Sequence, residues 1–286
     1  MILFFEYALA TNFNNESILK EGTLMYIKLL KEFLEIDDVI TILHKRFFER
    51  YKKNKNLKIV EGNENIEKIL EDILNENNID YALIIAPEEE NILYNLTKIL
   101  EKYKIKNLGS SSKAIKIAGD KYLMYKKLKD IVNIPKTWLG RYIIKKRDGC
   151  GGEFKFIDES YIIQEYVEGE SLSVSSIVGK NKIYFLSLNR QFINCGYKGG
   201  EININHPKKG EIFKEVEKCL KNIEGLFGYV GVDVVVNDDI HIVDINPRIT
   251  TSVYKLYTIP TLAKLLIKNI NNEELYFTVS GGTFKL

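Results

Sequence analysis

The chain has 286 residues, 45% of them hydrophobic and 28% charged, enough to bury a sizeable core in one large domain or two to three small ones. Its 41 basic and 39 acidic residues leave a formal net charge of +2, which excludes the basic stripe of a dedicated nucleic-acid binder and still allows a cationic pocket for an anionic small molecule. Cys150, Cys195 and Cys219 form no C-x-x-C pair, so neither a disulfide framework nor a structural zinc site is expected. The opening MILFFEYALA lacks a basic n-region and reads as a buried first strand, not a signal peptide. No apolar run nears the roughly 20 residues that span a bilayer, so a cytoplasmic protein with no membrane partner is expected.

Residues 1 to about 108 alternate two patterns. Ile2–Phe5, Val39–Leu43, Leu57–Val60 and Ala82–Ile85 are short apolar or β-branched runs, as in buried strands. Tyr26, Leu29, Leu30 and Phe33 repeat at helical spacing, as do Ile66, Ile69, Leu70 and Ile73. Pro87 is expected to open another helix, with Glu88, Glu89 and Glu90 at its positive end and a stripe of Ile92, Leu96, Ile99, Leu100 and Tyr103. This rhythm predicts a small parallel sheet covered by helices.

After Gly109-Ser110-Ser111-Ser112 the pattern changes. One helix is expected from about Lys113 to Asp130. Strands are expected at Tyr142–Lys146, Tyr161–Val167, Ser173–Val178, Lys182–Leu188, Val230–Val236 and Ile240–Ile245, with a helical stripe at Phe213, Val216, Leu220 and Ile223. The C-terminal two-thirds therefore read as α+β with antiparallel pairs.

The most informative segment is GYVGVDVVVNDDIHIVDINPRIT, residues 228 to 250. Two β-branched runs flank Asp238-Asp239, which suits a two-residue hairpin loop. That loop makes Asn237 face Ile240, sets His241 opposite Val236, and puts Asp233 opposite Asp244 on one sheet face. Like charges so placed destabilise a sheet unless something binds between them, and a divalent cation with hard oxygen ligands does so. Asn246 and Arg248 follow Asp244 at strand period and join the same face. The competing reading is a solvated face of an ordinary hairpin. A three-residue loop would send the two aspartates to opposite faces.

Two further segments carry weaker signals. In YIIKKRDGCGGE, residues 142 to 153, a strand ends in lysines and enters a Gly-rich turn; such backbone can approach phosphate oxygens closely, although no Walker A loop is present. IIQEYVEGESLSV, residues 162 to 174, reads as a strand, a tight turn at Gly169 and a second strand. Elsewhere Arg190 could contact a carboxylate or be a surface arginine. Tyr197 lies in a loop expected near the substrate, and Glu6 ends the first strand, where α/β sheets place ligands; it could hold a cationic amine or be an ordinary loop acid. His44, His206 and His241 share no ligand spacing.

Taken in order, these segments resemble the ATP-grasp family. GDKYLMYKKL is similar to the family's D-K helix, which implies that Lys121 reaches the ATP phosphates. IIKK resembles its V-V-K-P strand and implies Lys145 as a second ATP lysine, with Lys146 standing where a proline is usual. RDGCGGE resembles the Gly-rich lid loop, implicating Gly149, Gly151 and Gly152. QEYVEGESLSV resembles the adenine hinge, Gln164, Glu165, Tyr166 and Val167, with Glu170 or Ser171 at the ribose. VDINPR is similar to E-I-N-P-R, which implies Asp244 and Asn246 as metal ligands; Asp233 falls at the other metal acid. The resemblance implies an ATP-grasp fold (α/β plus α+β) with a Rossmann-like pre-ATP-grasp domain at 1–108, a lid or central part at 109–168 and a metal-bearing part at 169–286.

The same resemblance implies ATP and Mg²⁺ or Mn²⁺ as cofactors, Arg248 and Lys145 as catalytic groups, and amide formation through an acyl-phosphate. FFEYA, LGSSSKAIKIAGDK, LNRQFI and NPRITTS are similar to a branch of the family, in methanofuran biosynthesis, that joins the γ-carboxyl of L-glutamate to tyramine. Another acid–amine pair, or a non-catalytic nucleotide-binding protein, are the alternatives. Small-molecule partners are implied; the oligomeric state, a homodimer included, is left open.

Overall fold

The computed structural model describes residues 1–51, 54–148, 150–194 and 196–286. Strands β1 (Ile2–Glu6), β2 (Val39–Leu43), β3 (Leu57–Glu61), β4 (Tyr81–Ile85) and the short β5 (Lys106–Asn107) form a parallel sheet in the order β3-β2-β1-β4-β5. β1 and β2 are buried at every position, which is why they read as continuous apolar runs and not as alternating ones. The connecting helices are α1 (Tyr7–Thr11), α2 (Glu16–Leu34), α3 (Phe48–Tyr51), α4 (Ile66–Glu76) and α5 (Ile92–Lys102). α2 starts where the Asn15 side chain accepts from the Ser17 and Ile18 amides, and it buries Tyr26, Leu29, Leu30 and Phe33 along the expected stripe.

Two helix boundaries differ from expectation. Pro87 does not open α5: a 3₁₀ turn, Glu89–Asn91, intervenes, with Glu90 and Asn91 at φ 53° and 60°. The three glutamates therefore precede the helix and do not occupy its first turn. The single helix expected from Lys113 is two, α6 (Ser112–Ala118) and α7 (Lys121–Leu128). Asp120 accepts from the Tyr122 and Leu123 amides, so it caps a new helix where an unbroken one was expected.

A small exposed part follows, made of two separate ribbons. β6 (Thr137–Leu139) pairs with the later β9 (Ile162–Gln164), and β7 (Tyr142–Lys145) pairs with β8 (Phe154–Ile157). Ile143, Ile144, Phe154 and Phe156 are all at least half exposed there.

The second large sheet is antiparallel. It contains β10 (Glu170–Val178), β11 (Ile183–Ile193), β12 (Tyr197–Glu201), β13 (Gly228–Val236) and β14 (Ile240–Asn246). After the short pair β15 (Tyr257–Ile259) and β16 (Thr278–Ser280), β17 (Thr283–Lys285) closes its edge in the order β14-β13-β10-β11-β12-β17. One face buries Leu172, Val174, Val232, Val234, Ile242 and Ile245 against α6, α7 and α8 (Lys209–Lys221). Residues 112–134, grouped with the lid on sequence, thus contribute Ala114, Met124, Leu128 and Ile134 to this core. A second core joins the two sheets, with Phe4, Tyr26 and Phe33 meeting Ile177, Leu186, Tyr229 and the Leu262, Leu265 and Leu266 side chains of α9 (Leu262–Ile270).

Candidate active site

The β13–β14 hairpin turns through Asn237, Asp238 and Asp239, three residues and not two. Val236 pairs with Ile240, Val235 with His241 and Val234 with Ile242, so His241 faces Val235, one place from its expected partner. Continued unchanged, this register would part the two aspartates. A β-bulge prevents it. Val243 is the extra residue, and beyond it Asp233 pairs with Asp244, Val232 with Ile245 and Gly231 with Asn246. The loop shifts the register by one place and the bulge shifts it back. Because a bulged residue and its neighbour share one partner, Val243 and Asp244 both line the same cleft, of about 390 Å³, with Asp233, Asn246 and Arg248.

The electrostatics are those of a cation site. Asp233 accepts from Gln191 Nε2 at 3.0 Å and from Asn246 Nδ2 at 3.3 Å. Burial, and next the negative charge of Asp244, push its carboxyl up to about 7, against the opposing pull of Asn246, Lys121 and Gln191. The Lys121 ammonium, at the first position of α7, contacts Asp244. Arg248 Nε lies 3.0 Å from both oxygens of Glu88, tying the end of the hairpin to the loop after β4. Among the described residues no group of three His, Cys, Asp or Glu side chains is placed to hold a metal ion. A metal here would take Asp233, Asp244 and the Asn246 amide oxygen from the protein and its remaining oxygens from phosphates and water, the coordination Mg²⁺ favours. The half-buried, charge-repelled aspartate pair fits such an ion.

A second cleft, of about 710 Å³, meets the first at Asp244, Asn246 and Arg248. It runs past Lys121, Glu88 and Tyr94 to Leu139 and Ile162 of the ribbons.

The other expected residues divide. Ser171 and Tyr197 line the first cleft, and burial, then the charge of Glu21, raises the Tyr197 phenol above its usual range. Glu170 does not line it. Its oxygen Oε1 lies 2.8 Å from Arg190 Nε, and Arg190 also binds Glu201 at 2.9 Å. Arg190 pairs with the core-facing Leu172, so alternation turns it away from the cleft and turns its neighbour Gln191 in; the expected substrate contact is corrected to an ion-pair residue. Glu6 is corrected as well. It is 3% exposed, lines neither cleft, and accepts from the Leu9 amide at 2.8 Å as the cap of α1.

Lys145 sits exposed on β7 beside Phe154, and neither it nor Lys146 lines a cleft. Gly151 and Gly152 hold φ of 102° and 71° in the loop between β7 and β8, conformations that favour glycine; Gly149 lies outside the described residues. In the expected hinge, Gln164 donates to Thr137 at 3.0 Å, the Glu165 amide donates to the Lys136 carbonyl, and Tyr166 is 89% exposed. Val167 follows half-buried.

Residues 118–252 match the model of the ATP-grasp domain, and residues 38–115 match that of the pre ATP-grasp 3 domain. The whole chain is 62% identical to a tyramine–L-glutamate ligase of Methanocaldococcus fervens, of which it covers 99%. It is 59% identical to the enzyme of that name from Methanocaldococcus jannaschii, covering 94%. The chain belongs to the ATP-grasp family. A crystal structure of an ATP-grasp superfamily protein from Archaeoglobus fulgidus superposes with a TM-score of 0.75 at 30% identity, over 99% of each chain.

In this ATP-grasp chain the sequence passed over Gln191, Glu88 and Glu21, although each touches or lines the site. Gln191 was legible in principle: anchoring β11 by the core-facing Leu188 places positions 189 and 191 opposite. Glu88 and Glu21 carried no local signal, because only tertiary packing brings them to the hairpin.

Proposed function

We propose that this chain is an ATP-dependent ligase that joins the γ-carboxyl of L-glutamate to the amine of tyramine, giving γ-glutamyltyramine, ADP and phosphate. The observation that carries this reading is the 62% identity, across the full length, to a ligase named for that pair. The aspartate pair with Lys121 at the junction of two clefts supports the phosphoryl chemistry.

The protein needs no nucleophile of its own. The substrate carboxylate attacks the γ-phosphorus and the bond to ADP breaks; the amine then attacks the acyl-phosphate carbon, phosphate leaves, and the amine proton is lost. Positioning and charge neutralisation supply the catalysis. Asp233, Asp244 and Asn246 would hold Mg²⁺ or Mn²⁺, which would supply positive charge against the phosphates. Lys121 neutralises phosphate charge from the start of α7, and Lys145 does so from the ribbon. Ser171 faces the ribose. Arg248, oriented by Glu88, stands at the transferred phosphoryl group. The hinge Gln164–Val167 takes the adenine edge, and the loop glycines Gly151 and Gly152 lie over the phosphates. A cytoplasmic site of action belongs to the same proposal; among the described residues no helix is long and apolar enough to cross a membrane.

The test is ADP release by the purified chain with L-glutamate and a panel of amines. Release with tyramine, accompanied by the mass of γ-glutamyltyramine, is the expected result. Release with other pairs alone overturns the substrate assignment, and no release with any pair overturns the enzyme.

A further inference from the structure

The first cleft has four charged side chains in its lining: Asp233, Asp244, Arg248 and Glu21. The two aspartates belong with the cation and phosphates, and Arg248 is balanced by Glu88. Glu21 remains. It comes from α2, and its oxygen Oε2 accepts from the Thr251 hydroxyl at 2.6 Å. That bond fixes the carboxylate. The other oxygen, Oε1, has no partner among the described residues. The cleft residues tied to it, Thr251 directly and Tyr197 with its partner Ser252, are neutral.

Local packing holds Glu21 in place. The next residue is Gly22, and a Cβ there would stand 2.6 Å from the Glu6 carboxyl carbon. Only glycine lets α2 approach the buried cap of α1 so closely, and that approach sets the turn that carries Glu21. A half-buried carboxylate with one oxygen pinned and one free is a receptor for a cation carrying several N–H donors.

We infer that Glu21 binds the primary amino group of a substrate in this cleft. The inference rests on the ligase function proposed above. Two groups of that chemistry enter the reaction, the α-ammonium of glutamate and the amine of tyramine, and they are separable by experiment.

The measurement is steady-state kinetics of the full chain and of Glu21→Gln at saturating ATP, with glutamate and tyramine varied in turn. Glutarate, which lacks the α-amino group, serves as an inhibitor competing with glutamate. Gln keeps an oxygen for Thr251 and removes only the charge. A rise of tenfold or more in the KM for glutamate, with loss of the preference for glutamate over glutarate, places the α-ammonium on Glu21. A rise of that size in the KM for tyramine, with the glutamate-to-glutarate preference intact, places the amine there. Both KM values and that preference within twofold of the parent overturn the inference, even if kcat falls, because a purely structural contact with Thr251 would behave so. Thr251→Val, which frees the carboxylate without neutralising it, is expected to move the same KM in the same direction by less. Failure of the ligase reading would appear in the parent protein as no turnover of the pair, whereas failure here appears only in the ratio between variant and parent.

Discussion

The Glu6 and Asp233 carboxyls are both pushed up to about 7, in each case chiefly by burial. Glu6 is raised chiefly by burial, against the pull of the Leu9 and Ala8 amides and of Arg248. Asp233 carries burial plus the charge of Asp244. In each case the folded protein keeps a proton up to about pH 7 that the unfolded chain releases near its ordinary carboxylate value. Folding is therefore supported fully below that ordinary value and loses the support as pH rises through 7. For Glu6, displaced from 4.5 to about 7, the loss is on the order of 3 kcal/mol. Glu6→Gln keeps an acceptor for the Leu9 amide and never ionises. It is expected to be more stable than the parent at pH 8 and to flatten the fall in denaturation free energy between pH 5 and 8. Equal slopes for variant and parent would show that Glu6 is not the titrating group. Its amide should leave the tyramine KM unchanged, since Glu6 lines neither cleft. Asp244→Ala, in contrast, is expected to slow turnover with Mg²⁺ by about 10²–10³-fold, the about 2.7–4 kcal/mol in the barrier that one electrostatic contact supplies. Near-parental activity would remove Asp244 from the cation site.

At the level of the strand, period two decides which side chain does what. Gln191 reaches Asp233 while Arg190, one residue away, pairs with Glu170 and Glu201 behind the sheet. Gln191→Leu, which removes a donor from a half-buried carboxylate, is expected to lower kcat/KM for ATP tenfold or more. Arg190→Met should change it less than threefold while lowering the melting temperature slightly, since partly exposed ion pairs contribute little. The opposite ranking would mean that β11 presents its other face.

The same periodicity explains what could and could not be read in advance. β1, β2 and the α2 stripe were legible because apolar runs and helical spacing reflect burial directly. The aspartate pair was legible only in its outcome. Its expected two-residue loop is in fact three residues, and a bulge at Val243, which no local pattern announces, restores the pairing. The break at Asp120 was equally hidden, since a capping aspartate and a mid-helix aspartate differ only in what the backbone does around them.

On the scale of the whole molecule, the site is assembled from parts that sequence leaves far apart. α2 supplies Glu21, the loop after β4 supplies Glu88, α7 supplies Lys121 and the hairpin supplies the aspartates. The shared core of Phe4, Phe33, Tyr229 and Leu266 holds those parts in register. Ligand binding across such a junction should therefore be read out as stability. A ligand present at 100 times its Kd adds about 2.7 kcal/mol to folding when it binds only the native state. ATP with Mg²⁺ is expected to raise the melting temperature of the parent, and ATP with a chelator to raise it much less, because Asp233 and Asp244 then meet the phosphates without an intervening cation. Asp244→Ala should lose most of the ATP–Mg²⁺ shift, whereas Glu21→Gln should keep it, since Glu21 faces the amino-group end of the cleft. Full stabilisation by ATP in the presence of the chelator would mean that Lys121 and its neighbours hold the nucleotide unaided, and that the two aspartates face each other for some other reason.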